Sequence, residues 1–223
     1  MFEESARRLT GISGVATGVL AIVVAPLYFI YDGPPPSWNV LTRTLLSVVM
    51  LAVLVVFFSG LRQVFSTAAG LVSIGYSAGV TYVAVTLVSA SMEAGVPLDS
   101  PDGALDPTVD GPLAAGMVLI HGPVARILSI VILVSFGLAA SRTAEFPKWI
   151  STSAYIIAAA NLVFIPSLYF GMNAANFYAS NGWGSTATIS SVLLYWTAAV
   201  GVALLRRQAP TPAVDERASA ATA

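Results

Sequence analysis

The chain contains no cysteine, a single histidine, and charged residues at only 9% of its 223 positions. Without cysteine there is no disulfide, no thiolate metal site and no cysteine nucleophile. One histidine rules out a multi-histidine metal centre and a haem held by two histidine axial ligands. Soluble domains carry about 25% charged residues, so this chain lacks the means to cover itself against water. Basic residues do not cluster, and no nucleic-acid partner is expected. Acids are missing from the middle of every long apolar run, with Asp32 and Glu93 read as run ends. That argues against a carboxylate-driven proton antiporter, a magnesium-dependent prenyltransferase and an intramembrane aspartyl protease. No lysine lies inside a run either, which excludes a retinal Schiff base. No cofactor and no metal are expected.

What is present is hydrocarbon: 57% of the residues are hydrophobic. They gather into six segments, approximately 12–31, 40–61, 67–92, 113–140, 150–170 and 186–205. Each is near the roughly 20 residues that a spanning helix needs. The expected fold is therefore an all-α polytopic membrane bundle of six transmembrane helices, residues 1–208. The first segment is read as a retained helix, because its apolar run is long for a signal peptide and Glu3 and Glu4 dilute the basic end. Arg7, Arg8, Arg62, Arg142, Lys148, Arg206, Arg207 and Arg217 fall on one side of six crossings. Asp32, Glu93, Asp99, Asp102, Asp106 and Asp110 fall on the other, with Arg43. The positive-inside rule makes the first side cytoplasmic, with both termini inside.

The loops add less. Glu93–Pro112 carries Asp99, Asp102, Asp106 and Asp110 in a spacing only loosely like a calcium loop. The alternating ligand order is missing, so a solvated acidic loop is the plainer reading. Loop 171–185 holds Asn173, Asn176, Asn181, Tyr178 and Trp183, whose aromatics suit an interfacial belt. Residues 209–223 have no apolar periodicity and are expected to be a disordered cytoplasmic tail. Arg8, Ser13 and Pro26 recur as Lys148, Ser153 and Pro166 at an offset of 140, and Trp38 and Arg62-Gln63 recur as Trp183 and Arg207-Gln208 at 145. That echo is either a parallel repeat or the ordinary furniture of helix ends. Gly14 with Gly18, and Gly75 with Gly79, mark small faces on helices 1 and 3 where backbones can approach closely.

Polar residues inside the hydrocarbon are the candidate site. His121 and Arg126 lie in LIHGPVARIL, Leu119–Leu128. If helix 4 is continuous from Leu113 to Ala140, it is about 42 Å long and Arg126 lies near its middle. A charge there costs at least about 2.5 kcal/mol and calls for a cavity or a partner. If Gly122-Pro123 breaks the helix, Pro123 opens a new one, Arg126 snorkels to the outer interface and His121 becomes a cap or loop residue. Under the first geometry Asn161, Thr81, Tyr82, Tyr195 and Trp196 lie at similar depth. With Arg126 they would line an aromatic pocket with one cation and one amide, binding an anion or a polar head. Otherwise they satisfy one another between packed helices. His121 and Arg126 are the weak catalytic candidates; neither shows an orienting partner in the sequence.

From Phe136 onward, Phe136-Gly137-Leu138, Ser141-Arg142, Pro147 and Trp149, with Arg43 opening helix 2, resemble a broad family of bacterial six-helix membrane proteins. The resemblance covers about a third of the chain and implies topology and a bacterial inner membrane, but no activity. The leading expectation is non-catalytic binding, within the lipid bilayer, of an apolar or anionic small molecule or of a membrane-protein partner. The alternative is a small intramembrane enzyme acting on an apolar substrate near Arg126. The third is a passive transporter or channel.

Overall fold

A computed structural model describes residues 2–31, 33–65, 68–99, 106, 111–143 and 146–207. The expected tail 209–223, Asp32, Asp102, Asp110 and most of the acidic stretch between residues 99 and 112 lie outside the described residues. Among those described there is no strand, and six helical stretches are long and apolar enough to cross a membrane.

The first span is α1 (Phe2–Val24), tightening into a 3-10 turn at Ala25–Tyr28. The second and third are α2 (Ser37–Val64) and α3 (Ala69–Asp99). The fourth joins α4 (Gly111–Leu119) to α5 (Ala125–Ser141) through a π-helical turn, Ile120–Val124. The fifth is α6 (Lys148–Phe164) with a 3-10 end at Ile165–Phe170. The sixth is α7 (Ile189–Arg206), preceded by a second π turn, Gly184–Thr188.

Prolines set several of these boundaries. Pro36 (ψ 144°) and Pro147 (ψ 142°) are extended residues from which α2 and α6 start. Pro26 and Pro166 open the 3-10 ends of spans 1 and 5, where a missing N–H is tolerated. These two turns share the offset of 140, but the resemblance stops there: α1 packs along α2, whereas α6 touches α7 only lightly. Two expected ends need correction. Helix 2 begins at Ser37 rather than near 40, and helix 3 runs to Asp99 rather than stopping at 92. Glu93 is consequently a helical residue and not the start of a solvated loop.

The spans form a ring. α1 packs on α7 and α2, α2 on α3, α3 on α5, and α5 on α6. Lipid offers apolar side chains no hydrophobic gain, so close backbone approach must hold such a ring together. A Cβ on Gly14 would lie 2.7 Å from the Thr197 carbonyl oxygen, and one on Gly201 2.7 Å from that of Gly11 and 2.9 Å from the Val15 nitrogen. On α3, Gly75 and Gly79 receive the rings of Phe136 and Phe58. Both glycine pairs are thus packing faces. Gly201→Ala is expected to push α1 off α7 and cost about 1–3 kcal/mol, because backbone on the far side cannot yield. Gly70→Ala, with nothing within 4 Å, should be neutral or stabilising by up to about 1 kcal/mol. Thermal unfolding of the two variants in one detergent checks the contrast.

Six crossings bring residues 2 and 207 to the same end of the bundle, here termed proximal. At that end the ring is filled by Phe57, Phe58, Phe65, Phe136 and Phe146, all buried; Phe58 stacks on Phe136 (6.2 Å between centroids) and Phe65 on Phe146 (4.5 Å). The outer surface exposes Ile22, Leu45, Ile74, Val88, Ile156 and Leu162, as a lipid-facing surface would. Trp38, Trp149, Tyr169 and Phe170 are exposed near helix ends, the positions of an interfacial belt.

Candidate functional site

The distal end is built differently. Where the proximal layer has phenylalanine, the distal layer has Ala21, Ala25, Ser47, Ser89, Ala90, Ser190 and Ser191, and a cavity of about 550 Å³ opens between the spans. Its deeper wall is apolar, with Ala21, Met50, Leu51 and Leu194. Its outer part carries Tyr28, Tyr31, Glu93, His121, Asn181 and Trp183. From Tyr82 to Glu93, both lining residues of α3, the depth is about 16 Å at 1.5 Å per residue.

Loop 171–183 supplies Ala174, Asn181 and Trp183 to the wall. Ser180 ties this loop down, its N–H donating to Gly171 O (2.9 Å) and its hydroxyl to Ser167 O (3.2 Å) and Leu168 O (3.1 Å). The Tyr178 hydroxyl donates to Val163 O. Trp183, expected in an interfacial belt, both lines the cavity and stays exposed.

Beside the cavity lies an ion pair that the sequence reading did not foresee. Arg43 of α2 is fully buried and bonds to Glu93 of α3, whose side chain is 11% exposed. Arg43 Nη1 also donates to Tyr31 Oη (2.8 Å) and Asn39 Oδ1 (3.4 Å), and its guanidinium lies 4.4 Å from the centre of the Tyr28 ring. Asn39 Nδ2 donates to Leu27 O (2.9 Å). The group fastens the 3-10 end of span 1 to spans 2 and 3. A buried pair holds best when both charges and their remaining hydrogen bonds are met; Tyr31, Asn39 and the Tyr28 ring meet part of the Arg43 guanidinium, while its Nε has no partner among the described residues.

Span 4 is two helices, α4 and α5, that meet at a kink. Pro123 has no N–H and crowds the carbonyl one turn back. Gly122 leaves the helical basin (φ −85°, ψ −105°), and the Ala125 N–H reaches both Gly122 O and Ile120 O. The helical path is therefore interrupted at Gly122 and resumes with Pro123, with these two bonds bridging the kink. His121 lines the cavity on one side of this kink. Arg126, 2% exposed, points elsewhere: Nη1 donates to Phe164 O (2.9 Å) and Ser167 Oγ (3.0 Å), and Nη2 to Ser185 O (2.6 Å). Phe164 is the last residue of α6, where orphan carbonyls and the helix dipole favour a cation. Ser185 sits in the π turn before α7, where the Ile189 N–H reaches back to Gly184 O. Arg126 thus joins spans 4, 5 and 6, and it does not snorkel.

The other sequence candidates are dispersed. Tyr82 is buried and lines the cavity with His121. Arg126, Asn161, Tyr195 and Trp196 are not among its lining residues. Asn161 is buried on α6, its Nδ2 donating to Ile157 O of its own helix (2.9 Å). Tyr195 is exposed and Trp196 is buried, its Nε1 without a partner among the described residues. The pocket with one cation and one amide is therefore not the one the chain builds. The lining amide is Asn181, and the charged lining residue is Glu93. Among the described residues no three His, Asp or Glu side chains lie close enough to hold a metal ion. No protein-family model, curated protein or solved structure matches the chain.

Proposed function

We propose that this is a multi-pass membrane protein whose distal cavity holds a lipid-like molecule without transforming it. The observation that carries the reading is the cavity itself: it is within the 300–1,000 Å³ range of small-molecule sites, apolar at depth and polar toward the end of the bundle. Catalysis near Arg126 is less well supported, since that guanidinium is committed to three protein oxygens and is absent from the cavity wall. A continuous passive pore is disfavoured by the phenylalanine layer at the proximal end. That end gathers Arg7, Arg8, Arg62, Arg142, Lys148, Arg206 and Arg207, so the proposal places it in the cytoplasm of a bacterium and opens the cavity toward the far side of the inner membrane. Reporter fusions at positions 104 and 144 should read external and internal respectively; the same compartment for both would overturn the orientation.

Native mass spectrometry after gentle extraction tests the binding. Wild-type protein is expected to carry a co-purifying or added acyl lipid. Ala90→Trp, which fills the cavity from α3, should lose it, while Leu162→Trp on the exposed outer face should keep it. Equal lipid retention by both variants would remove the cavity from the account.

A further inference from the structure

The charge and hydrogen-bonding inventory of the cavity says more than its volume. Resting on the reading that it holds a lipid-like molecule, we infer that the head of that molecule is uncharged and donates hydrogen bonds: a hydroxyl-bearing head, such as that of a glycerol monoester.

No lysine or arginine lines the cavity among the described residues, and its one acid, Glu93, is already paired with Arg43. A carboxylate or phosphate head would find no permanent counter-charge in a site of low dielectric, the His121 imidazole being the one basic side chain in the wall, and that is costly. An ammonium head would have to take Glu93 away from Arg43. That guanidinium is fully buried, and its remaining contacts are a phenol, an amide and a ring. Stripping it would leave an uncompensated buried charge.

The uncharged part of the wall then decides. The hydroxyls of Thr86 and Ser191 donate to Tyr82 O (2.7 Å) and Thr188 O (2.9 Å), and that of Ser89 to Met117 O (3.4 Å). A hydroxyl whose proton is committed offers only lone pairs. These residues line the cavity as acceptors, and acceptors call for donors on the ligand. Asn181 adds the complementary demand: it is 7% exposed, and neither its Nδ2 nor its Oδ1 has a partner among the described residues. A buried amide left unpaired is costly. Thr44 Oγ1, also in the wall, is buried with no partner among the described residues and can give or accept a hydrogen bond. An uncharged head whose groups both donate and accept meets each of these demands, and an alcohol is such a group.

Trp183, in the cavity wall, supplies the readout. One brominated acyl chain is presented to detergent-solubilised full-length protein as its glycerol monoester, methyl ester, free acid and amine. Trp183→Phe protein serves as background for quenching of the other tryptophans. The monoester is expected to quench at about tenfold lower concentration than the methyl ester, acid or amine, the worth of one or two hydrogen bonds. Thr86→Val, nearly isosteric, should narrow the gap between monoester and methyl ester without weakening the methyl ester. Tighter quenching by the acid or amine, or equal quenching by the two esters, would overturn the assigned head while leaving the cavity reading intact. If no form quenches Trp183, the cavity reading falls and this inference falls with it. The wild-type series decides even if Thr86→Val fails to fold.

Discussion

Arg126→Leu is expected to lower the unfolding free energy in detergent by about 3 kcal/mol, from charge-assisted hydrogen bonds worth roughly 1.5–3 kcal/mol each less the desolvation that the guanidinium no longer suffers. The loss follows from what the side chain leaves behind. Phe164 O, Ser167 Oγ and Ser185 O each lose a donor in a region where Arg126 itself is 2% exposed. Apolar replacement fills space but supplies no N–H, so the end of α6 and the π turn before α7 become orphaned together. Arg126→Lys should recover only part, because an ammonium is a point donor and cannot reproduce a planar fork reaching oxygens on two segments. The local signature should be faster proteolysis within loop 171–183, which follows directly on the 3-10 end that Arg126 holds. A leucine variant as stable as wild type would mean that the guanidinium is a tolerated passenger, as snorkelling would have made it.

That contrast shows what was legible in the sequence. Composition and the run lengths of apolar residues were sufficient for six helices, because the bilayer permits few alternatives for backbone hydrogen bonding. The glycine pairs were legible as packing faces for the same reason. Depth along span 4 was not. Gly122-Pro123 announces a disturbance and the helix does kink there, but the direction in which the kink sends His121 and Arg126 depends on the spans packed around it. Arg126 was singled out correctly as needing company. Two of its three partners are backbone oxygens, which carry no residue-type signal, and the third is Ser167, one serine among many, whereas Asn161, Tyr195 and Trp196 stand out by residue type alone.

The pair Arg43–Glu93 was missed for a smaller reason with a larger consequence. Helix ends were placed several residues short, which made Glu93 a loop residue. With α2 starting at Ser37 and α3 ending at Asp99, Arg43 is six residues from one end and Glu93 six from the other. On neighbouring antiparallel helices those positions share a depth. A cation and an acid at matched depth form a signal that the sequence does contain, once Pro36 is allowed to mark where α2 begins.

Breaking that pair is the second large effect. Glu93→Leu leaves the Arg43 guanidinium fully buried with no carboxylate bonded to it, and should cost about 3–5 kcal/mol. Arg43→Met leaves Glu93, 11% exposed, at the cavity wall, where it can take up a proton and become neutral, and should cost less. The double variant should recover much of the loss, because a buried ion pair exchanged for apolar residues of similar volume is often neutral or better. Thermal unfolding of the four proteins gives the coupling as a double-mutant cycle. Added salt should change it little, since burial shields the pair from the ion atmosphere. A double variant whose loss equals the sum of the two single losses would dissolve the coupling. The pair would then be two independent residues that happen to meet, and span 1 would be held to span 2 by the bonds of Asn39 to Leu27 and of Arg43 to Tyr31, with no share taken by Glu93 of span 3.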